Sequence, residues 1–242
     1  VPFDTVPFDT VEAICDPKRC PTPQALEAAF RIAADKPEFA ADLAAALGVE
    51  CGAGKLKLPV VERLLELLAA IAPAEVLYPT LRAAMAHDDA HVRSKAALLL
   101  SRKVDKPEVL GQLAGDGDAR VRANTIQSLW GHADAHSAAI FGKALEDLHH
   151  RVAANAAYAL FLLDPEGHQP ALQSERLNRF VKHPHPRFRR AGAWLLRKIG
   201  DPANLPVLQP LVEDKNAEVR ASAYAALVAL QQVAAKSGMA GR

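Results

Sequence analysis

Apolar residues recur four apart along much of the chain, in the pattern Val-Arg-x-x-Ala-x-x-x-Leu, which places them on one face of a helix. The pattern stands at Val92-Arg93, Ala96, Leu100 and at Val121-Arg122, Thr125, Leu129. It weakens at Val152, Ala156, Leu160 and at Phe188-Arg189, Gly192, Leu196, and returns at Val219-Arg220, Ala223, Leu227. Successive copies begin 29, 31, 36 and 31 residues apart, which marks them as internal repeats. Three residues ahead of each start lies a short polar or turn-compatible residue: Asp89, Asp118, His149, His185 or Asn216. Asp and Asn at such a place accept backbone N–H bonds that the first helical turn leaves unmade, so each marks the start of a second helix. Shorter apolar helices are predicted between copies, for instance over 76–86, 137–145 and 205–212, with joins punctuated by residues such as Gly200-Asp201-Pro202. The prediction is helix, turn, helix, repeated.

The segments Asp118-Ala119-Arg120-Val121-Arg122-Ala123 and Asn216-Ala217-Glu218-Val219-Arg220-Ala221 resemble the HEAT-repeat superfamily, in particular its short variety of about 30 residues first associated with phycobilisome lyases. The resemblance spans residues 74–236. It implies an all-α fold, a right-handed superhelical solenoid of antiparallel helix pairs, with repeats at about 74–104, 105–133, 134–165, 166–201 and 202–236. Function is left open by it, since the superfamily includes scaffolds, adaptors, cofactor lyases and a few enzymes. Two departures stand out. Ala153 replaces the arginine of the third copy, and the 36-residue interval carries an extended loop over 164–170, where the stack is expected to bend. Before residue 74 the pattern is absent. Helices are still predicted there, one opened by Thr22-Pro23, a second over 37–47 ended by Gly48, and a third over 59–71. Together residues 22–73 form a helical N-terminal cap of the kind solenoids need for solubility. The tandem VPFDT at 1–10 is expected in an extended arm over 1–21, and residues 237–242 in a flexible tail.

Composition agrees with helices: 50 % of residues are hydrophobic and only 5 % aromatic, and the abundant alanine and leucine are good helix formers. The formal net charge of +1 draws the chain toward neither nucleic acid nor acidic membranes. Its distribution is uneven, however. Residues 176–198 hold eight Lys or Arg and no acid, leaving 1–175 at −7 and 199–242 at zero. No apolar run approaches the roughly 18 residues of a membrane span, and no signal-peptide pattern opens the chain. A soluble, cytoplasmic protein is expected, although a start at Val1 also suits a processed or excised form. Cys15, Cys20 and Cys51 make no disulfide framework. A Cys15–Cys20 bridge stays open for an exported chain, and a lone C-x4-C lacks the second pair that zinc requires.

Counting 100° per residue from the apolar start, positions +3, +6 and +10 of each second helix face away from the buried side and are expected to line the concave surface of the stack. Among them stand Lys95, Asn124, Gln127, Asn155, Tyr158, Trp194 and Lys198. Carboxamides donate to and accept from a peptide backbone, and aromatics offer rigid platforms, so these seven residues are the candidate site for a protein segment. The basic fourth repeat, with Arg179, Lys182, Arg187 and Arg190, is the candidate patch for an anionic partner, an acidic protein ahead of nucleic acid. The arginines after the apolar start, Arg93, Arg122, Arg189 and Arg220, are expected to pair with turn acids such as Asp89 and Asp118 between repeats.

Chemistry is poorly represented. His87 and His91, like His132 and His136, have i,i+4 spacing, but no H-E-x-x-H arrangement occurs. The His-Glu pairs of HEAT-type iron hydroxylases are also missing. Gly52-Ala53-Gly54-Lys55 fails as a phosphate loop, with Val49 at the first glycine position and Leu56 after the lysine. Neither catalysis nor a cofactor or metal is expected. The leading expectation is a non-catalytic scaffold or adaptor. A cofactor-lyase-like or chaperone-like helper and a nucleic-acid binder through the fourth repeat are the alternatives.

Overall fold

The computed structural model describes residues 22–36, 38–53, 58–104, 107–164 and 170–240. The tandem segment, Cys15, Cys20, Lys55 and most of the 164–170 loop lie outside these residues, and so does the side chain of Cys51. The described residues form helices and no strands. The chain divides into two compact units, 1–128 and 129–242.

The first unit contains α1 (Thr22–Asp35), α2 (Phe39–Ala53), α3 (Leu58–Ile71), α4 (Ala74–Ala84), α5 (Ala90–Lys103), the short α6 (Pro107–Leu110) with a 3-10 turn (Gly111–Gly115), and α7 (Ala119–Ser128). Alternate helices stack: α1 on α3, α3 on α5, α5 on α7, and α2 on α4. Residues 22–71 therefore follow the same packing order as the patterned repeats, without the sequence pattern. Helix α2 runs through Gly48 to Ala53 instead of ending there, because a glycine with helical neighbours and no turn chemistry after it does not stop a helix. The second unit contains α8 (Ala135–Ala144), α9 (His150–Leu163), α10 (Pro170–Val181), α11 (Pro186–Ile199), a 3-10 turn (Pro202–Asn204), α12 (Leu205–Val212) and α13 (Ala217–Ala240). Here α9 packs on α8 and α11, and α11 on α10 and α13.

A second helix held between a first helix and its neighbours along the stack is buried nearly all round. In α9, Val152, Ala153, Ala154, Asn155, Ala156, Ala157 and Ala159 are all buried. Alanine suits this position, since its small side chain lets helix axes approach. The large apolar residues that fill the remaining space, such as Leu100, Phe141 and Phe180, are fully enclosed, each worth about 1.5–3 kcal/mol of burial.

The turn before each second helix is built by two side chains. The residue at the cap accepts an N–H from the helix: Asp89 from His91, Asp118 from Arg120, His185 from Arg187, and Asn216 from both Glu218 and Val219. His149 is the exception, making no side-chain cap bond. Two residues earlier, a second side chain accepts the N–H of the cap residue itself: His87, Asp116, Asp147, His183 and Asp214 do so in turn. The arginine after the apolar start closes the device. Arg93 gives Nη1 to the carbonyls of His87 and Asp88, and its Nε–Nη2 edge to both oxygens of Asp116 at 2.7 and 2.9 Å. Arg189 does the same with the carbonyls of His183 and Pro184 and with Asp214, at 2.5 and 3.0 Å. Arg93 and Arg189 thus pair with turn acids, as expected; Arg122 and Arg220 are clamped to the carbonyls of their own turns. The acids of Arg93 and Arg189, however, stand two residues ahead of the caps; the cap Asp118 is taken by Arg120 instead.

Gly192 of α11 sits where α10 crosses it. A Cβ there would lie 3.0 Å from the Phe180 Cβ and 3.4 Å from backbone atoms of Phe180 and Val181, atoms that cannot rotate away. Gly192→Ala should therefore lower the melting temperature, overpacking costing about 1–3 kcal/mol against a helix-propensity gain near 1 kcal/mol. Gly142→Ala, in α8 with open space around its Cβ, should raise it. Thermal unfolding followed by circular dichroism checks both.

Candidate functional site

The seven stripe residues do not share one environment. In the first unit Lys95 is ion-paired with Glu66 of α3, and Asn124 donates to Ser94 of α5, so both tie helices together. Gln127 is exposed. In the second unit Asn155 is only 6 % exposed, a correction to the outward position expected for it. The helical-wheel argument allows a helix one buried face, whereas α9 is covered on several sides. Tyr158 and Trp194 are half-buried and Lys198 is exposed.

These last three belong to an aromatic cluster whose central member the stripe missed. Trp130, just after α7, meets Tyr158 edge-on at 4.9 Å between ring centroids and lies 6.4 Å from Trp194. Tyr158 is 6.2 Å from both Trp194 and Phe161. The Trp130 indole N–H donates to the carbonyl of Asn155 at 3.1 Å, which fixes its ring. Lys198 places Nζ 5.9 Å from the centre of the Tyr158 ring, within the range of a cation–π contact. Edge-to-face packing of this kind contributes about 0.5–1.5 kcal/mol per pair beyond area burial. The result is a braced, partly open aromatic surface with an ammonium at its border. Trp130 stands nine residues past Val121, off the chosen stripe.

Residues 173–240, all within the second unit, match the family model of HEAT repeats. The match to HEAT repeats covers that segment of the chain. No curated protein matches its sequence significantly. Solved structures similar to it include the complex of CpcE and CpcF of phycocyanin lyase from Nostoc sp., at 20 % identity over 95 % of this chain and 98 % of that one, with a TM-score of 0.44. Human deoxyhypusine hydroxylase in complex with glycerol matches at 18 % identity over 91 % and 94 %, TM-score 0.39. An engineered protein matches at 18 % identity over 92 % and 96 %, TM-score 0.30.

Within these HEAT repeats the basic run is less exposed as charge than its sequence suggests. Arg179 is paired with Glu146, Arg190 with Glu218 and the buried Arg189 with Asp214. Lys182 and Arg187 are exposed. Hydrogen bonding to Asp214 raises the Arg189 pKa, and the same bond holds the Asp214 carboxyl below the usual carboxylate range. Among the described residues no group of three His, Cys, Asp or Glu is placed to hold a metal ion, and no helix is long and apolar enough to cross a membrane. The turn histidines act within their own turns. His87 and His183 accept backbone N–H groups, and Arg120 donates to His91 Nε2.

His150, at the start of α9, is the exception. Burial first, then the positive charges of His149, Arg190, Arg187 and Arg151, push its pKa down from 6.5 to about 4. Between those values the unfolded chain takes up a proton here that the folded chain refuses. Stability should fall on acidification through that window. His150→Gln should flatten the slope of melting temperature against pH from 6.5 to 4, measured at constant ionic strength.

Proposed function

We propose that this chain is a non-catalytic scaffold or adaptor that holds a protein segment, with the Tyr158, Trp194 and Lys198 surface of the second unit as its docking site. The observation that carries the proposal is the braced aromatic cluster. Two half-open rings held by mutual edge-to-face packing lose little conformational freedom on binding, and aromatics with a neighbouring cation are the residue types that dominate protein-binding hot spots. Their faces suit aliphatic or proline side chains of a partner, while Lys198 suits a partner carboxylate or backbone carbonyl. Gln127 in the first unit adds an exposed carboxamide; Lys95 and Asn124 act by holding helices in place, and Asn155 is buried. Nucleic acid fits less well. With Arg179 and Arg190 already paired to glutamates, the fourth repeat keeps too few exposed cations for the several phosphate contacts that affinity for nucleic acid requires.

The test compares capture of proteins from the native host by the wild-type chain, by Lys198→Glu, and by the triple variant Tyr158→Ala, Trp194→Ala, Lys198→Ala, once equal helical content has been confirmed. Lys198→Glu removes no core contact and reverses one exposed charge. Partners retained by wild type should fall at least about tenfold with the triple variant and measurably with Lys198→Glu, a loss of ~1.4 kcal/mol or more. The same partners recovered equally from all three would remove this surface as the site.

A further inference from the structure

The tandem Val1-Pro2-Phe3-Asp4-Thr5 and Val6-Pro7-Phe8-Asp9-Thr10 stands outside the described residues and outside the repeat pattern. Each copy sets a proline and a phenylalanine directly ahead of an aspartate, and residues 1–17 hold four acids and no Lys or Arg. Five residues are too few to bury an apolar core of their own, so Phe3 and Phe8 gain cover only against a surface that already exists. Proline fixes its own backbone torsion, which lowers the entropy lost when such a segment is held.

The second unit presents a surface of complementary chemistry. Tyr158 and Trp194 are half-buried rings, and Arg197 and Lys198 are exposed beside them in sequence. The helices that carry these residues, α9 and α11, contain no Asp or Glu. Lys198 borders the Tyr158 ring at 5.9 Å and has no carboxylate partner among the described residues. Ring faces and edges take proline and phenylalanine, and the ammonium at their border takes a carboxylate that follows the phenylalanine at once, as Asp4 follows Phe3 and Asp9 follows Phe8.

We propose, resting on the reading of that surface as a segment-docking site, that the VPFDT tandem of one copy of this chain docks on the Tyr158, Trp194 and Lys198 surface of a second copy. Phe3 or Phe8 packs against the two rings, and the aspartate after it pairs with Lys198. An exposed ion pair with a few ring contacts is weak by itself. Two copies that exchange their tandems make two such contacts, and once the first has formed the second is intramolecular. The exchange closes a pair with twofold symmetry.

The test is sedimentation velocity of the full chain over a concentration series, with tryptophan emission read on the same samples. Trp130 and Trp194 are its two tryptophans, so emission reports on this surface. Wild type should form dimers, and emission should change in step with dimerisation. Lys198→Glu, and separately Asp4→Asn with Asp9→Asn, should each raise the dimer dissociation constant at least about tenfold. Excess synthetic peptide VPFDTVPFDT should separate the wild-type dimer into monomers. Lys198→Glu combined with Asp4→Lys and Asp9→Lys should restore dimers, a rescue that a merely damaged fold does not allow. A monomer at every concentration, or a dimer indifferent to Lys198→Glu and to the tandem substitutions, overturns the proposal. So does an emission change that the tandem substitutions abolish in a monomer, since the tandem then lies on its own chain. If host proteins are nonetheless lost with the triple variant of Tyr158, Trp194 and Lys198, the docking site stands without this occupant; if they are recovered equally, the site itself has failed.

Discussion

The stack depends on one repeated interaction: an arginine clamped to the carbonyls of its own turn reaches across to an aspartate in the next turn. Each partner is doubly engaged. The arginine closes the turn it belongs to, and the aspartate also accepts the N–H of its own cap residue. At Arg189 and Asp214 the side chains are only 10 % and 7 % exposed, so water does not screen the pair as it does on an open surface. The planar guanidinium admits one orientation for such a bidentate bond. Register between those helix pairs is therefore fixed by geometry as well as by apolar burial, which is non-directional.

At the third repeat the interaction is absent on both sides at once. Ala153 stands where the arginine would be, and His183 where its aspartate would be, so neither charge is left buried without its partner. Rings take over the join. His183 stacks on Phe188 at 4.0 Å, Phe180 lies 6.1 Å from Phe188, and His150 lies 6.2 Å from it. Gly192 allows the close approach of α10 that this packing needs. The aromatic cluster of Trp130, Tyr158 and Trp194 belongs to the same unit, so the proposed protein-binding surface lies where directional polar joints give way to packed rings.

The repeats were legible because their period is carried by the buried residues themselves, and the caps Asp89, Asp118 and Asn216 because Asp and Asn at a helix start have a local chemical reason to be there. The acids two residues earlier were equally regular. Asp116, Asp147 and Asp214 all stand five before an apolar start, but the role of Asp116 and Asp214 depends on an arginine 23 or 25 residues away in sequence, which local spacing does not reveal. The charge of the fourth-repeat basic run is offset in the same non-local way, since the glutamates that pair with Arg179 and Arg190 lie 33 and 28 residues away. Asn155 was misplaced because a helical wheel assumes one buried side. Residues 22–71 share the stacking order of the patterned helices without the arginine device, so the sequence pattern does not reach them.

The central claim is that the arginine–aspartate pair pins successive repeats, and a double-mutant cycle on Arg189 and Asp214 tests it most directly. Arg189→Ala and Asp214→Ala should each lower unfolding free energy by about 3 kcal/mol, and the double variant by little more than either, a coupling of roughly 2 kcal/mol or above. The exposed Arg190–Glu218 pair, taken through the same cycle, should couple by no more than about 0.5 kcal/mol. Losses at Arg189 and Asp214 that simply add would contradict the account and return the register of the stack to apolar packing alone.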